Sequence, residues 1–531
     1  MNRREFLAAG AVVGLASVAR GGIQKGEEGF DLVEVGITEL QEGMAAGRWT
    51  AKGLVEWYLR RIEEIDRRGP GLNSVIEVNP EAGRIAEELD RERKEKGARG
   101  PLHGVPVLIK DNIDTADGMA TTAGSLALVG GRPLTDAFLV KRLRKAGAVL
   151  LGKTNLSEWA NARCSYSTSG WSGRGGLTKN PYALDRNPSG SSSGSGAAAA
   201  ASLCAAAVGT ETDGSILSPS SSNCLVGLKP TVGLVSRSGV IPISHSQDTA
   251  GPMCRSVRDA AILLTALAGR DMQDAASEPW PLQEAIDYTR ALDANGLKGA
   301  RIGVARNYLG THERMDAVIN EAVAAMARLG ATMVDTTELP KGDQFSAAEE
   351  TVFRYEMKAG LNKYLARLGP GAKVKSVEEI VAFNKKNAEK ELKYFGQDSF
   401  EKMAAKGGLE SYEYQEALAK CRRVTRTEGI DAVFDKLKLD AIVGPCGGVP
   451  WATDLVCGDR FVGNGDAISI AAVAGYPSVT VPAGFVWGLP IGVCIFGRAW
   501  TEEKLLKYAY AFEQGTKVRR GPRFLERAEI K

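Results

Sequence analysis

Histidine is almost missing from this chain: His103, His245 and His312 are the three in 531 residues. That scarcity argues against a serine-histidine-aspartate triad, which needs a histidine brought to a serine. Eight cysteines, from Cys164 to Cys494, form no CxxC pair and no Cys/His cluster with zinc spacing. A bound metal is therefore not expected, and eight cysteines are far too few for a disulfide scaffold. Neither charge sign is in excess, with 67 Lys plus Arg against 64 Asp plus Glu and a formal charge of +3. No strong field steers the protein toward nucleic acid or anionic lipid, and a small-molecule or peptide partner is expected. The phosphate-binding pattern GxxxxGK[ST] is absent too, and no cofactor is expected.

What is present is an ordinary globular composition, 44% hydrophobic and 25% charged. The first residues differ in character. Arg3-Arg4-Glu5-Phe6-Leu7 leads into a short Ala/Gly/Val stretch and a small-residue end near Ala16, Ser17 and Ala19. The apolar run is shorter than the roughly 20 residues that span a bilayer. Residues 1–21 read as a twin-arginine export signal, predicting a periplasmic or extracellular protein with no stable membrane insertion once the signal is removed.

Residues 22–520 read as one α/β domain. Helical periodicity from Thr38 to Arg67, a helix over Glu81–Lys96, the buried strand Gly104–Lys110 (GVPVLIK), a helix over Ala137–Lys145 and a strand over Ala148–Leu151 alternate as layered α/β chains do. Strand-like segments return at Ile302–Ala305, Ala441–Val443, Val479–Val481 and Gly492–Phe496, and the last helix starts at Glu502. Between about 278 and 435 the chain is more charged and more helical, and much of it reads as a helical cap or insertion.

The most unusual segment is 187–227: NPSGSSSGSG, an alanine-rich run over Ala197–Val208, GTETDGSILSPSSSN, then CLVG. Composition alone would allow a flexible Gly/Ser linker. The apolar run that follows favours a buried helix, and a linker seldom feeds directly into a buried element. Asn155 to Glu158 (NLSE) reads as a helix N-cap with Glu at the third position.

Taken together these blocks resemble the amidase signature family, over roughly Val55 to Gly515. The block Gly100–Asp114 (GPLHGVPVLIKDNID) carries Lys110, which matches the family's catalytic lysine. Ser189-Gly190-Ser191-Ser192-Ser193-Gly194 matches its serine-glycine block, with Ser191 as the bridging serine. Asp213-Gly214-Ser215-Ile216 matches its nucleophile block, 24 residues further on (215 less 191). GKTNLSEWA, VGLKPTVGLVSRSGVIP and DTAGPM follow in family order. Ser189 and Ser193 stand where the family has glycine, and Leu217 where many relatives have arginine. Asp213 before Gly214 makes the chain more similar to the peptide-amidase branch than to the glutaminyl-tRNA amidotransferase branch.

The resemblance implies a mixed central sheet covered by helices on both faces, and a hydrolase acting through a Ser-Ser-Lys triad. Ser215 is expected as nucleophile and Ser191 as proton relay on a cis peptide, with Lys110 as a neutral base. Backbone N–H groups of Thr212, Asp213, Gly214 and Ser215 are expected at the oxyanion, and Ser192 and Leu217 at the substrate. A lysine titrates near pH ~10.4 in water, so neutrality at pH 7 needs about 4.6 kcal/mol of bias. Burial on GVPVLIK acts in that direction, and Asp111 opposes it unless strand alternation turns its side chain away. Leucine at 217 implies a neutral amide substrate, such as the C-terminal amide of a peptide, with ammonia released. A broad acyl or aryl amidase and a glutaminyl-tRNA amidotransferase component stay open, the latter disfavoured by the export signal. A catalytically dead relative would be expected to have lost a triad residue, and all three are present.

Overall fold

Apolar runs bounded by glycine and turn residues become the strands of one large mixed sheet. The computed structural model describes residues 31–279, 286–336, 338–461 and 465–530. Residues 1–21, expected to be an export signal, lie outside them. The first strands are β1 (Val75–Val78), β2 (Pro106–Lys110), β3 (Val149–Thr154), β4 (Trp171–Ser172), β5 (Gly176–Leu177) and β6 (Ala206–Glu211). Then follow β7 (Val226–Lys229), β8 (Thr249–Cys254), β9 (Arg301–Ala305), β10 (Thr332–Thr336), β11 (Ala441–Pro445), β12 (Ser478–Val486) and β13 (Leu489–Phe496). Eleven of them form a sheet in the order β1-β3-β2-β6-β8-β7-β12-β13-β11-β9-β10, while β4 and β5 pair as a separate ribbon. Pairing is parallel for β3-β2-β6 and for β11-β9-β10, and antiparallel through the middle of the sheet. Helices pack around this sheet, and residues 34–531 cluster as one compact unit. Every residue of β2, β3 and β6 is buried, as expected of strands covered on both faces.

Two expectations change. The alanine-rich run is not one helix: Ser193–Ala200 is helical, Ser202 turns with φ +55°, and the chain re-enters the sheet as β6. A run that is small and apolar on all sides has no periodicity to separate helix from strand. The helix is wholly buried against β2, β3, β6 and β8, and a Cβ added at Gly194 would stand 2.3 Å from Ser74 O. Only glycine permits that approach. The helical insertion is also narrower than 278–435. Arg301–Ala305 and Thr332–Thr336 are parallel strands of the main sheet, joined by the helix Glu313–Arg328.

The helices Ser346–Leu365, Val377–Lys386, Asp398–Ala404 and Tyr412–Arg422 form the cap. Its underside is apolar: Met357, Leu361, Leu365, Ile380, Phe400 and Met403 pack with Trp159, Leu128 and Ile241 from the body. Burying each such side chain contributes about 1.5–3 kcal/mol relative to exposure. Polar pins add direction. Tyr364 Oη donates to Asp114 Oδ1 at 2.7 Å, and Glu356 Oε2 accepts from the Ser244 hydroxyl at 2.6 Å and the Ser246 N–H at 2.9 Å.

Candidate active site

Lys110 ends β2 and Thr210 lies near the end of the adjacent parallel strand β6, so the sheet itself brings them together. Lys110 is fully buried, and its Nζ lies 2.8 Å from Ser191 Oγ, 3.0 Å from Thr210 Oγ1 and 3.3 Å from Thr210 O. No carboxylate among the described residues touches it. Burial therefore pulls the ammonium down to about 7, against the more distant pull of Glu211 and Asp248. Asp111 turns to the other face of the strand, where Thr122, Gly124 and Arg174 engage its carboxylate. Asn112 Nδ2 donates to Thr210 Oγ1 at 2.9 Å and fixes that hydroxyl beside the amine.

Ser191 follows a cis Gly190–Ser191 peptide bond and precedes the buried helix Ser193–Ala200. Ser192 ties its loop to β6: the Oγ donates to Thr210 O at 3.0 Å and accepts from Thr210 N–H at 3.2 Å, and the Ser192 N–H donates to Ser215 O at 3.2 Å. The Ser191 loop and the Ser215 loop are thus stitched through one residue. Ser189 adopts φ +63°, a left-handed conformation that favours glycine, and its Oγ pairs with Ser218 Oγ at 2.7 Å.

Thr212, Asp213, Gly214 and Ser215 line one wall of a cavity of about 730 Å³. Gly214 takes φ +78°, turning the backbone toward that space. The N–H groups of Ile216 and Leu217 are engaged by Glu211 Oε2 at 2.7 and 3.0 Å. Those of Asp213 and Ser215 bond no acceptor among the described residues. Two donors of this kind beside a nucleophile are what a developing oxyanion requires. Beneath them Asp213 is pushed up to about 7, chiefly by burial, and the neighbouring Glu349 well above the carboxylate range by burial and by Asp213.

The family model "Amidase" matches residues 53–506. The chain belongs to the amidase family. It is a hydrolase of amides. A probable amidase of Arabidopsis thaliana is 41% identical over 507 residues, 93% of each chain. A glutamyl-tRNA(Gln) amidotransferase chain of Pseudomonas syringae is 34% identical, over 90% of this chain and 97% of the relative. The native peptide amidase from Stenotrophomonas maltophilia superposes with a TM-score of 0.88 at 50% identity, covering 93% of this chain and 99% of that one.

Two substrate contacts expected in this amidase are corrected. Leu217 is fully buried in an apolar cluster with Tyr308, Phe345 and Ile468, and Ser218 occupies the cavity wall instead. The turn after Ser215 starts a short helix, Leu217–Ser222, and this directs residue 217 into the core. Ser192 is likewise buried and spends its hydroxyl on β6. The NLSE capping reading fails as well. Glu158 opens a 3₁₀ turn with Trp159 and Ala160 at positive φ, and its carboxylate accepts from Gly173 N–H at 2.6 Å. The loop that follows, from Ala160 to Ser169, lines the cavity and includes Tyr166.

Trp451 also lines it, while Trp171 does not and packs with Cys164 and Phe395. Asp459, Phe461, Phe353, Arg354 and Met357 complete the wall, and no motif marked them. Arg163 and Arg174, the other arginines that could have met a substrate carboxylate, are held by Glu158 and by Glu77 and Asp111.

Proposed function

We propose that the protein hydrolyses the terminal carboxamide of a neutral or cationic linear amide, a short peptide amide being the best fit, through Ser215, Ser191 and Lys110. The observation that carries this reading is the 2.8 Å approach of Ser191 Oγ to a fully buried Lys110 that has no carboxylate partner among the described residues. Ser215 Oγ adds to the amide carbon as its proton passes to Ser191, whose own proton passes to neutral Lys110. The oxyanion takes the N–H groups of Asp213 and Ser215, with Thr212 and Gly214 completing the backbone turn. As the C–N bond breaks, Ser191 protonates the departing nitrogen and recovers its proton from Lys110, so ammonia leaves an acyl-Ser215 ester. Water then attacks that ester by the same relay, restoring Ser215 and releasing the acid.

Two features support an amide without a carboxylate near the reacting end. Arg354, the single cation among the described lining residues, is paired with Glu350 one helical turn away on the same helix. Asp213 and Asp459 add carboxyls to the wall. The 50% identity to a peptide amidase supports the peptide reading. The Arg3-Arg4 leader would place this activity outside the cytoplasm. The test is ammonia release by the mature protein from amidated dipeptides, free-acid amides such as glutamine, and aryl amides. Amidated dipeptides should be preferred at least tenfold over glutamine, a gap of about 1.4 kcal/mol in the transition state. Ser215→Ala should abolish release from all of them. Equal rates on glutamine would overturn the neutral-amide assignment.

A further inference from the structure

The charged groups of the cavity wall do not balance. Of the four among the described lining residues, Arg354 and Glu350 neutralise one another, and Asp213 and Asp459 remain. Asp213 shares its surroundings with Glu349 and a side-chain hydrogen bond with Ser469, so its carboxyl is engaged within the protein. Asp459 is different. No lysine, arginine or histidine among the described residues lies within ion-pair distance of it.

Neutral donors hold it in place instead. Oδ2 accepts from the Ser169 hydroxyl at 2.6 Å, Oδ1 accepts from the Trp451 indole N–H at 3.2 Å, and the Ser169 N–H reaches both oxygens at 3.0 Å. These four contacts, two on each oxygen, orient the group, and Asp459, half-buried in the cavity lining, presents its charge to that space.

Its position relative to the catalytic loop is also defined. A Cβ placed on Gly190 would lie 3.0 Å from Ser169 Oγ, so the Asp459–Ser169 pair sits beside the residue that precedes Ser191. Asn187 braces the same wall, its Nδ2 donating to Ser169 O at 2.9 Å and its N–H to Trp451 O at 2.8 Å. On the cap side Phe353, Met357 and Met403 offer apolar surface to a side chain. An oriented anion lacking a counter-cation, set within a partly desolvated cavity and close to the reacting end, is a receptor for a cation.

We propose that Asp459 is a specificity-determining residue that ion-pairs with a cationic group of the substrate, the protonated α-amino terminus of a short peptide amide. The proposal rests on the amide-hydrolase reading of the cavity and narrows it to substrates with a free amino end.

The experiment compares kcat/KM at pH 7 for ammonia release from three matched substrates: a dipeptide amide with a free amino terminus, its N-acetyl form, and an N-acetyl dipeptide amide whose first residue is lysine. The free-amine substrate should exceed its acetylated form at least tenfold, mainly through KM. That ratio should shrink as pH rises through the amine's own titration at about 7.7–8.0. In Asp459→Asn the ratio should fall to within twofold of unity. Because the readout is a ratio within one preparation, partial misfolding of the variant does not disguise the result.

Equal efficiency for free and acetylated peptides in the wild type, or an unchanged ratio in Asp459→Asn, overturns the anchor while leaving amide hydrolysis standing. Recovery of the preference in the acetyl-lysine peptide alone reassigns the cation to a side chain and overturns the α-amino claim. Release from none of the three overturns the peptide-amide reading and the anchor together.

Discussion

Lys110 and Lys153 stand near the ends of adjacent parallel strands and are equally buried, yet they meet opposite surroundings. Register sets them apart. Ile109 is the partner of Lys153 and Lys110 that of Thr154, so the two amines leave opposite faces of the sheet. Lys110 meets two hydroxyls and a carbonyl. Lys153 Nζ donates to Ile113 O at 2.6 Å and Thr121 Oγ1 at 2.9 Å, on the side where Asp111 and Asp114 lie. Burial lowers both, but around Lys153 four carboxylates oppose the fall, Asp111 first. The lesson is that desolvation alone does not make a base: the amine must also sit apart from carboxylates whose field keeps it charged, and beside a hydroxyl that can hand a proton over.

The most severe way to break the comparison is Lys110→Ala. Loss of the base should lower kcat by about 10²–10⁴ while circular dichroism and gel filtration stay native. A loss under tenfold would assign the proton to another group. Less drastic is a change of pH on the intact enzyme. The amine is pulled down to about 7 and must be unprotonated to accept, so kcat/KM for a substrate without titratable groups should fall about tenfold per pH unit below that value and level off above it. A profile flat from pH 5 to 9 in a folded enzyme would remove lysine from the relay.

Smaller still is Thr210→Val, which deletes the hydroxyl shared by Lys110 and Asn112. That hydroxyl accepts best from the charged amine. Its loss should therefore move the acid limb of the profile to lower pH, with kcat reduced roughly tenfold through a lost bond of about 1.4 kcal/mol. The smallest effect on turnover belongs to Lys153→Met. Two buried oxygens lose a donor, destabilising the fold by about 1–3 kcal/mol, seen as a lower denaturation midpoint, while activity per folded molecule stays within twofold. Loss of activity on the scale of Lys110→Ala would erase the distinction between the two lysines.

Where the proposed chemistry rests on short, ordered blocks, the blocks themselves are readable from the chain. Lys110, Ser191 and the turn Thr212–Ser215 converge because strand ends and glycine-rich turns are local features with local signals. What escaped depends on distance along the chain. Leu217 lies two residues from Ser215, but one turn of chain is enough to reverse its direction, so adjacency in sequence misled. Arg354 and Asp459 lie far from either serine block, on a helix and a loop whose facing is set only when the cap settles on the body. The helix Ser346–Leu365 has apolar residues on several sides, since it packs against both body and cap, and no stripe reveals the few residues that face the cavity. The strand β10 was hidden behind the charged helix that precedes it, and the turn within the alanine run by its uniformity.

Glu350, Phe353, Arg354 and Met357 all come from the helix Ser346–Leu365 and all reach the cavity, whereas Ser189, Thr212–Ser215 and Ser218 come from the sheet side. Reactivity and admission are thus written in separate stretches of sequence. A lineage, or a library, can redraft four positions on one cavity-facing stripe and obtain a different diet from the same chemical engine. The residues that position Lys110 would feel none of it, so divergence of substrate range in such a protein should outpace divergence of its catalytic blocks.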